Sequence, residues 1–169
     1  MTLDTRSAST GPRLPEELAS STTFLLKRLG FAAKEQATEE YEQTGLHPYH
    51  HAVLAVLDEG SRETQGAIAD ALNYDRGQLV GLLDDLEERG LIERRRDTVD
   101  RRRQSVHMTP DGKRTLAKLR TLSRKLEDDF LSNLDETQRG ELHALLRLLA
   151  QQHLPHCAFQ PPAPAATSD

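Results

Sequence analysis

The sequence predicts a mainly helical chain: a winged helix-turn-helix with a two-stranded β wing, flanked by long helices that form a dimerisation lobe. Three observations carry this prediction. Apolar residues recur at helical spacing over most of the 169 residues. Two short helical stretches meet across the turn Asn73-Tyr74-Asp75. After Gly90 the period changes to two strand-like runs that bracket an arginine-rich loop.

Residues 1–13 are small, polar and aperiodic, so they are expected to lack fixed structure. From Pro15 to Gln43 the pattern is helical, with Leu18, Leu25, Leu29 and Ala32 on one face and Phe24 and Phe31 on an adjoining one. Thr44-Gly45 ends this helix, glycine being suited to the left-handed residue past a helix C-terminus. His47-Pro48 opens the next, with proline where no amide donor is needed, and Gly60 stops it after Glu59. Thr64 caps a short helix to Leu72 whose buried stripe is Ile68, Ala69 and Leu72. Beyond the turn, Arg76 to Arg89 places Leu79, Leu82, Leu83 and Leu86 inward, and Gly90 terminates it.

Leu91–Arg95 and Ser105–Thr109 read as the strands of a hairpin. Thr109-Pro110-Asp111 then caps a long helix with the narrow stripe Leu116, Leu119, Leu122, Leu126 and Phe130, suited to a helix-to-helix seam. Asp135 and Gln138 make a capping-box start to a last helix carrying Leu142, Leu145, Leu146 and Leu149. The Pro- and Ala-rich tail, 154–169, is expected to be disordered. The resulting organisation is a DNA-binding domain over 46–109 between dimerisation helices at 14–45 and 110–153. The apolar stripes of the first, fifth and sixth helices need a second copy, because a monomer would leave them as a large exposed patch.

Composition narrows the function. The longest apolar run, Ala52–Leu57, is far short of the ~20 residues a membrane span needs. The N-terminus lacks the apolar core of a secretory signal, and one cysteine cannot form an internal disulfide, so a cytoplasmic protein without a membrane partner is expected. The net charge of −5 argues against a nucleic-acid partner until its distribution is considered. Six Arg and two Asp between Arg94 and Arg103 give a local +4, leaving −9 for the rest of the chain. No glycine-rich phosphate loop is present, no Ser or Cys has a nucleophile context, and no catalytic pair of carboxylates stands out. Neither enzymatic activity nor a cofactor is expected.

Thr64-Gln65, Ile68-Ala69, Leu72, Asp75-Arg76, Leu79, Leu82, Asp84 and Leu86-Glu87-Glu88-Arg89-Gly90-Leu91-Ile92 together resemble the core of the MarR family of bacterial transcription regulators. Asp100-Arg101-Arg102, followed by Val106-His107-Met108-Thr109 and Asp111-Gly112, resembles that family's D-x-R wing motif and its continuation, with Met in place of the usual Leu. The resemblance covers about Leu46 to Lys118. It implies a homodimer that binds a pseudo-palindromic stretch of double-stranded DNA and regulates transcription, as a repressor in the expected case.

The second helix of such a motif turns its N-terminal residues toward base edges in the major groove, which nominates Arg76, Gln78 and Val80. Arg can bond guanine at two atoms and Gln adenine at two atoms, whereas Val can only touch a thymine methyl. The competing reading of Arg76 is a surface ion pair, disfavoured because the helix's other face is fully apolar. For the wing, the resemblance implies that Arg102 inserts into the minor groove, with Asp100 orienting it. It places Arg101 and Arg103 on phosphates, and Arg94, Arg95 and Arg96 at the hairpin base. The plain alternative is a solvated charge run, which six clustered Arg in an acidic protein argue against. An interaction module without DNA binding would have little use for that cluster.

His47, His50 and His51 lie around the start of the second helix, where helical spacing puts His47 near both others. They read first as ordinary surface or core histidines. Second, with Tyr49, they read as the lining of a pocket for a small aromatic or phenolic ligand, since the resembled family binds aromatic acids beside its DNA-binding lobe. A zinc-responsive regulator using these three histidines is the third reading, weakened by an incomplete ligand set. Cys157, in the tail without nearby Lys or Arg, is expected to be an inert thiol.

Overall fold

The computed structural model describes residues 13–60, 64–96 and 104–154. In chain order its elements are α1 (Glu16–Ala19), α2 (Thr22–Glu42), α3 (Pro48–Asp58), α4 (Gln65–Leu72), α5 (Arg76–Glu88), β1 (Ile92–Arg96), β2 (Gln104–Met108), α6 (Pro110–Phe130) and α7 (Glu136–His153). Every helix and both strands expected from the sequence are present. The strands are set one residue away from the expected registers, and one expected helix is broken. None of the helices described is long and apolar enough to cross a membrane.

The break separates α1 from α2, where the sequence pattern predicts one helix from Pro15. Two serines cause it. Ser20 closes α1, its Oγ donating to the Glu16 carbonyl at 2.8 Å. Ser21 Oγ accepts from Phe24 N at 3.3 Å and so opens α2. Side-chain hydroxyls that satisfy helix-end backbone groups compete with continuing the helix.

The chain divides within α2, between Gln36 and Ala37, into two compact units. In the first, no described residue is buried, and Leu18, Leu25, Leu29 and Phe31 remain exposed. The second extends beyond 46–109 in both directions, because Tyr41, Leu116 and Leu119 belong to its core. That core joins Val53, Leu54 and Val56 of α3, Ile68 and Ala69 of α4, Leu79, Leu83 and Leu86 of α5, and Ile92 and Val106 of the hairpin. Each fully buried Leu, Ile or Val contributes about 1.5–3 kcal/mol relative to exposure.

Local signals place the elements as their residue types require. Gly45, Gly60 and Gly90 all take positive φ at helix ends. Asn73 closes α4 at φ 52°, the one described non-glycine residue with positive φ. β1 and β2 pair antiparallel, with Ile92 opposite Met108 and Arg94 opposite Val106. An isolated bridge from Thr64 to Ser105 ties the start of α4 to this hairpin.

The hairpin returns into α6 through a tight backbone approach. Thr109 N donates to the Leu91 carbonyl at 3.0 Å. Thr109 Oγ1 donates to the Gly90 carbonyl at 2.7 Å and accepts from Gly112 N at 3.0 Å. A β-carbon on residue 112 would collide with the Leu91 carbonyl oxygen, so only glycine fits there. Between α6 and α7 the Asp135/Gln138 capping box forms. Arg139 clamps that corner with bonds to the Asp128 carboxylate at 2.7 Å and to the Leu134 carbonyl at 3.2 Å. α7 itself buries no residue.

Candidate nucleic-acid interface

The start of α5 is built by its cap. Asp75 Oδ1 accepts from Gly77 N at 2.8 Å and Gln78 N at 3.2 Å, satisfying two of the backbone donors that open a helix. Leu79, Leu83 and Leu86 sink one face of α5 into the core. Arg76, Gln78 and Val80 are left exposed in its first two turns. On the α4 side, Gln65, Gly66, Arg76, Leu79 and Val80 line a recess of about 190 Å³. A cation, an amide and a branched apolar side chain thus share the accessible end of the second helix. These are the chemistries that read guanine, adenine and the thymine methyl.

The hairpin stem treats its three consecutive arginines differently. Arg95 and Arg96 are exposed, Arg95 paired with Glu93. Arg94 is only 18% exposed. Its guanidinium bonds Asp84 at 2.6 Å and Glu87 at 3.1 Å, and its backbone N donates to the same Glu87 carboxylate at 3.0 Å. Arg94 is therefore a strut between hairpin and α5, where the sequence reading counts it among the DNA-binding arginines at the hairpin base. The reason lies in spacing. Asp84 and Glu87 sit one turn apart on α5, and together they neutralise a guanidinium that the strand presses against the helix. Asp100, Arg101, Arg102 and Arg103 lie outside the described residues.

The histidine group is brought together, with each ring given separate work. His47 is the N-cap of α3, its Nδ1 accepting from Tyr49 N at 3.3 Å. His50 Nδ1 accepts from His47 N at 2.9 Å, completing a capping box. Its Nε2 lies 3.1 Å from Asp85 Oδ2. His51 Nδ1 and the Tyr41 hydroxyl are 2.6 Å apart. The three Nδ1 atoms are thus engaged by three different partners. Among the described residues no group of three His, Cys, Asp or Glu side chains is placed to hold a metal ion. His50, 8% exposed with both nitrogens engaged, is a structural joint between α3 and α5. Tyr49, half-buried, packs edge-on to Tyr74 at 5.2 Å and against His47 at 4.6 Å.

Burial moves the protonation of several of these groups. Desolvation lowers the His50 pKa, opposed by the nearby Asp85 carboxylate, with Arg89 and His47 adding to the lowering. Burial likewise lowers His51, and Arg120 acts in the same sense. It raises Tyr41, against a hydrogen bond from Ser123, and pushes Tyr74 up to about 12, where Tyr49 adds to the effect. In each case the neutral form is the one a low-dielectric site favours.

Sequence reasoning missed Asp84, Asp85 and Glu87 as anchors. The available signal was an acidic run along α5 facing a cationic strand, which reads by itself as a solvated surface. It also missed the Tyr41–His51 pair, whose members are ten residues apart and meet only in the folded chain.

A profile of the MarR family matches residues 44–103, the stretch that spans α3, α4, α5 and the first strand. A protein of Thauera aromatica, named for transcriptional regulation of the hcr operon, is 35% identical over 136 residues, 80% of this chain and 82% of its own. The chain is similar to the transcriptional repressor CouR solved on a 23-mer DNA duplex, with TM-score 0.74 and 31% identity over 82% of this chain and 99% of that one. It is also similar to CouR from Rhodococcus jostii RHA1 bound to p-coumaroyl-CoA, with TM-score 0.67 and 25% identity over 80% and 96% of the two chains.

Proposed function

The chain belongs to the MarR family of winged helix-turn-helix, DNA-binding transcription regulators, and from that premise we propose that it is a homodimeric repressor which a small aromatic ligand releases from a pseudo-palindromic operator. The observation that carries the DNA-reading half is the exposed end of α5. Arg76, Gln78 and Val80 stand clear there while Leu79 anchors the helix beneath them. In this reading they enter the major groove. Arg95, Arg96, Arg101 and Arg103 attract phosphates, and Arg102, oriented by Asp100, enters the minor groove. Arg94 serves by fixing the stem.

The dimer is supported by α7, where Leu145 and Leu148 are 61% and 63% exposed beside Leu146 and Leu149. An apolar face of that size is covered by a partner in soluble proteins. The ligand half is supported by the CouR structure holding p-coumaroyl-CoA, and by the half-buried rings of His47, Tyr49 and His51. A ligand acts only through its different affinities for the DNA-fitting and non-fitting states.

Footprinting the protein on the region upstream of its own gene tests the reading. A protected, two-fold symmetric site with half-sites about one helical turn apart is the expected result. Phenolic acids and their thioesters should then be titrated against that complex, with release expected from at least one. A full-length protein that is a well-behaved monomer by light scattering, or that gives no footprint, overturns it.

A further inference from the structure

His50 is the most completely engaged side chain at the joint between α3 and α5. Nδ1 accepts from the backbone N of His47, so that nitrogen carries no proton, and the ring's hydrogen is on Nε2, directed to Asp85 at 3.1 Å. Asp85 is held from its other oxygen by Arg89 Nε at 2.9 Å. The Arg89 guanidinium in turn lies against Gly45, where a β-carbon would stand 3.4 Å from it. A chain of contacts therefore runs from the start of α3 through one imidazole to the last turn of α5.

We propose that His50 is a positioning residue for the DNA-reading helix: a neutral imidazole that caps α3 with one nitrogen and holds Asp85 of α5 with the other, so that a proton gained at Nδ1 frees the cap and loosens α5. This inference rests on α5 being the reading helix. Protonation turns Nδ1 from acceptor to donor and sets it against the His47 N–H. The contact with Asp85 remains as an ion pair, while the first turn of α3 that carries His50 loses its cap, so α5 is left bonded to a turn that is no longer fixed. The joint therefore opens at the α3 end.

The charged and titratable groups around the ring are few among the described residues. Asp85 and Arg89 face it from α5, and His47 from its own helix start. On α6, Arg120 acts on His51 and pairs with Asp58 at the far end of α3. On β2 the titratable residue is His107, bonded to Ser105 Oγ at 2.8 Å. Asp70 of α4 is exposed. Burial disfavours the charged imidazole, so the neutral joint is the resting state at neutral pH and opening requires acid.

Two measurements on the dimeric full-length protein test this. Nitrogen-15 shifts of the imidazoles report the His50 tautomer without any DNA, and the expected state at pH 7.5 is neutral with the proton on Nε2. Binding to the footprinted operator is then followed from pH 7.5 to 5.5 for the wild type, His50→Gln, His50→Asn and Asp85→Asn, with a melting curve for each. Wild-type affinity should fall about two- to tenfold over that range, the worth of one hydrogen bond. Both His50 variants should lose this step, and Asp85→Asn should move it to lower pH by removing the charge that favours the proton. A merely structural His50 would change melting and leave the step in place.

A step of undiminished size in both His50 variants overturns the proposal, as does a proton on Nδ1 at pH 7.5. If the variants melt too low to assay, the wild-type tautomer and pH profile still decide. A wild type that ignores the operator at every pH overturns the DNA-reading role of α5 instead, and the tautomer then reports the joint alone.

Discussion

Glu87 holds Arg94 at two points, one carboxylate oxygen accepting from its backbone N at 3.0 Å and the other from its guanidinium at 3.1 Å. Arg94→Ala should therefore destabilise the protein by about 1–3 kcal/mol, because two carboxylates lose a partly buried cation. It should weaken operator binding while leaving the salt slope unchanged, since an arginine committed to Asp84 and Glu87 releases no DNA counterion. Urea unfolding and operator titrations at several salt concentrations check both. A slope shallower by about one would mean that Arg94 reaches a phosphate.

Arg102 should show the opposite signature. Arg102→Ala is expected to weaken binding to many sequences and to reduce the salt slope by about one counterion, with little change in base preference. Arg76→Ala and Gln78→Ala should instead relax specificity, each costing about 1–3 kcal/mol of discrimination at its own base pair. Binding to a set of single-base operator variants separates the two behaviours. An unchanged affinity and slope in Arg102→Ala would show that the wing does not insert.

Gly112 and Gly140 make a matched pair on α6 and α7. Gly112→Ala forces a β-carbon against the Leu91 carbonyl and should cost about 1–3 kcal/mol or more. A β-carbon at Gly140 would meet nothing within 4 Å beyond its own helical backbone, so Gly140→Ala should stabilise by about 0.5–1 kcal/mol through helix propensity alone. Opposite shifts in the unfolding midpoint are the expected outcome.

His50 and His51 both have pKa values below the ordinary histidine value of 6.5 because burial opposes the charged ring. In acid the unfolded chain then binds more protons than the folded one, and stability rises with pH in that region. Their contribution is fully present above about pH 6.5 and is lost as pH falls through the lowered values. Thermal melts from pH 8 to 5 should show the midpoint falling on the acid side, and His51→Phe should flatten part of that fall.

Much of this architecture was legible in the sequence because it is written in local chemistry. Thr64, Thr109 and Asp135 cap helices where their hydroxyl or carboxylate types predict. Leu79, Leu83 and Leu86 announce a buried face by spacing alone. The Ser20-Ser21 break escaped because an apolar period running through two serines looks continuous until their hydroxyls are seen bonded to the helix ends. The uses of Arg94 and His50 escaped for a different reason. Both look like free polar groups in sequence, and both are consumed by acidic residues of α5 that only the folded chain brings within reach, seven to ten positions away for Arg94 and 35 for His50.

The paired stem of the hairpin is secured from below, by Arg94 on α5 and by the Thr109 hydroxyl between Gly90 and Gly112. The core contact is made at Ile92 and Val106, near the root. Among the described residues, the bonds of that anchorage lie within the stem, α5 and the start of α6. Arg94 and Thr109 thus hold the stem while the neighbouring Arg95 and Arg96 stay exposed, so the charge that a duplex meets can be altered at the exposed pair without loosening the hairpin.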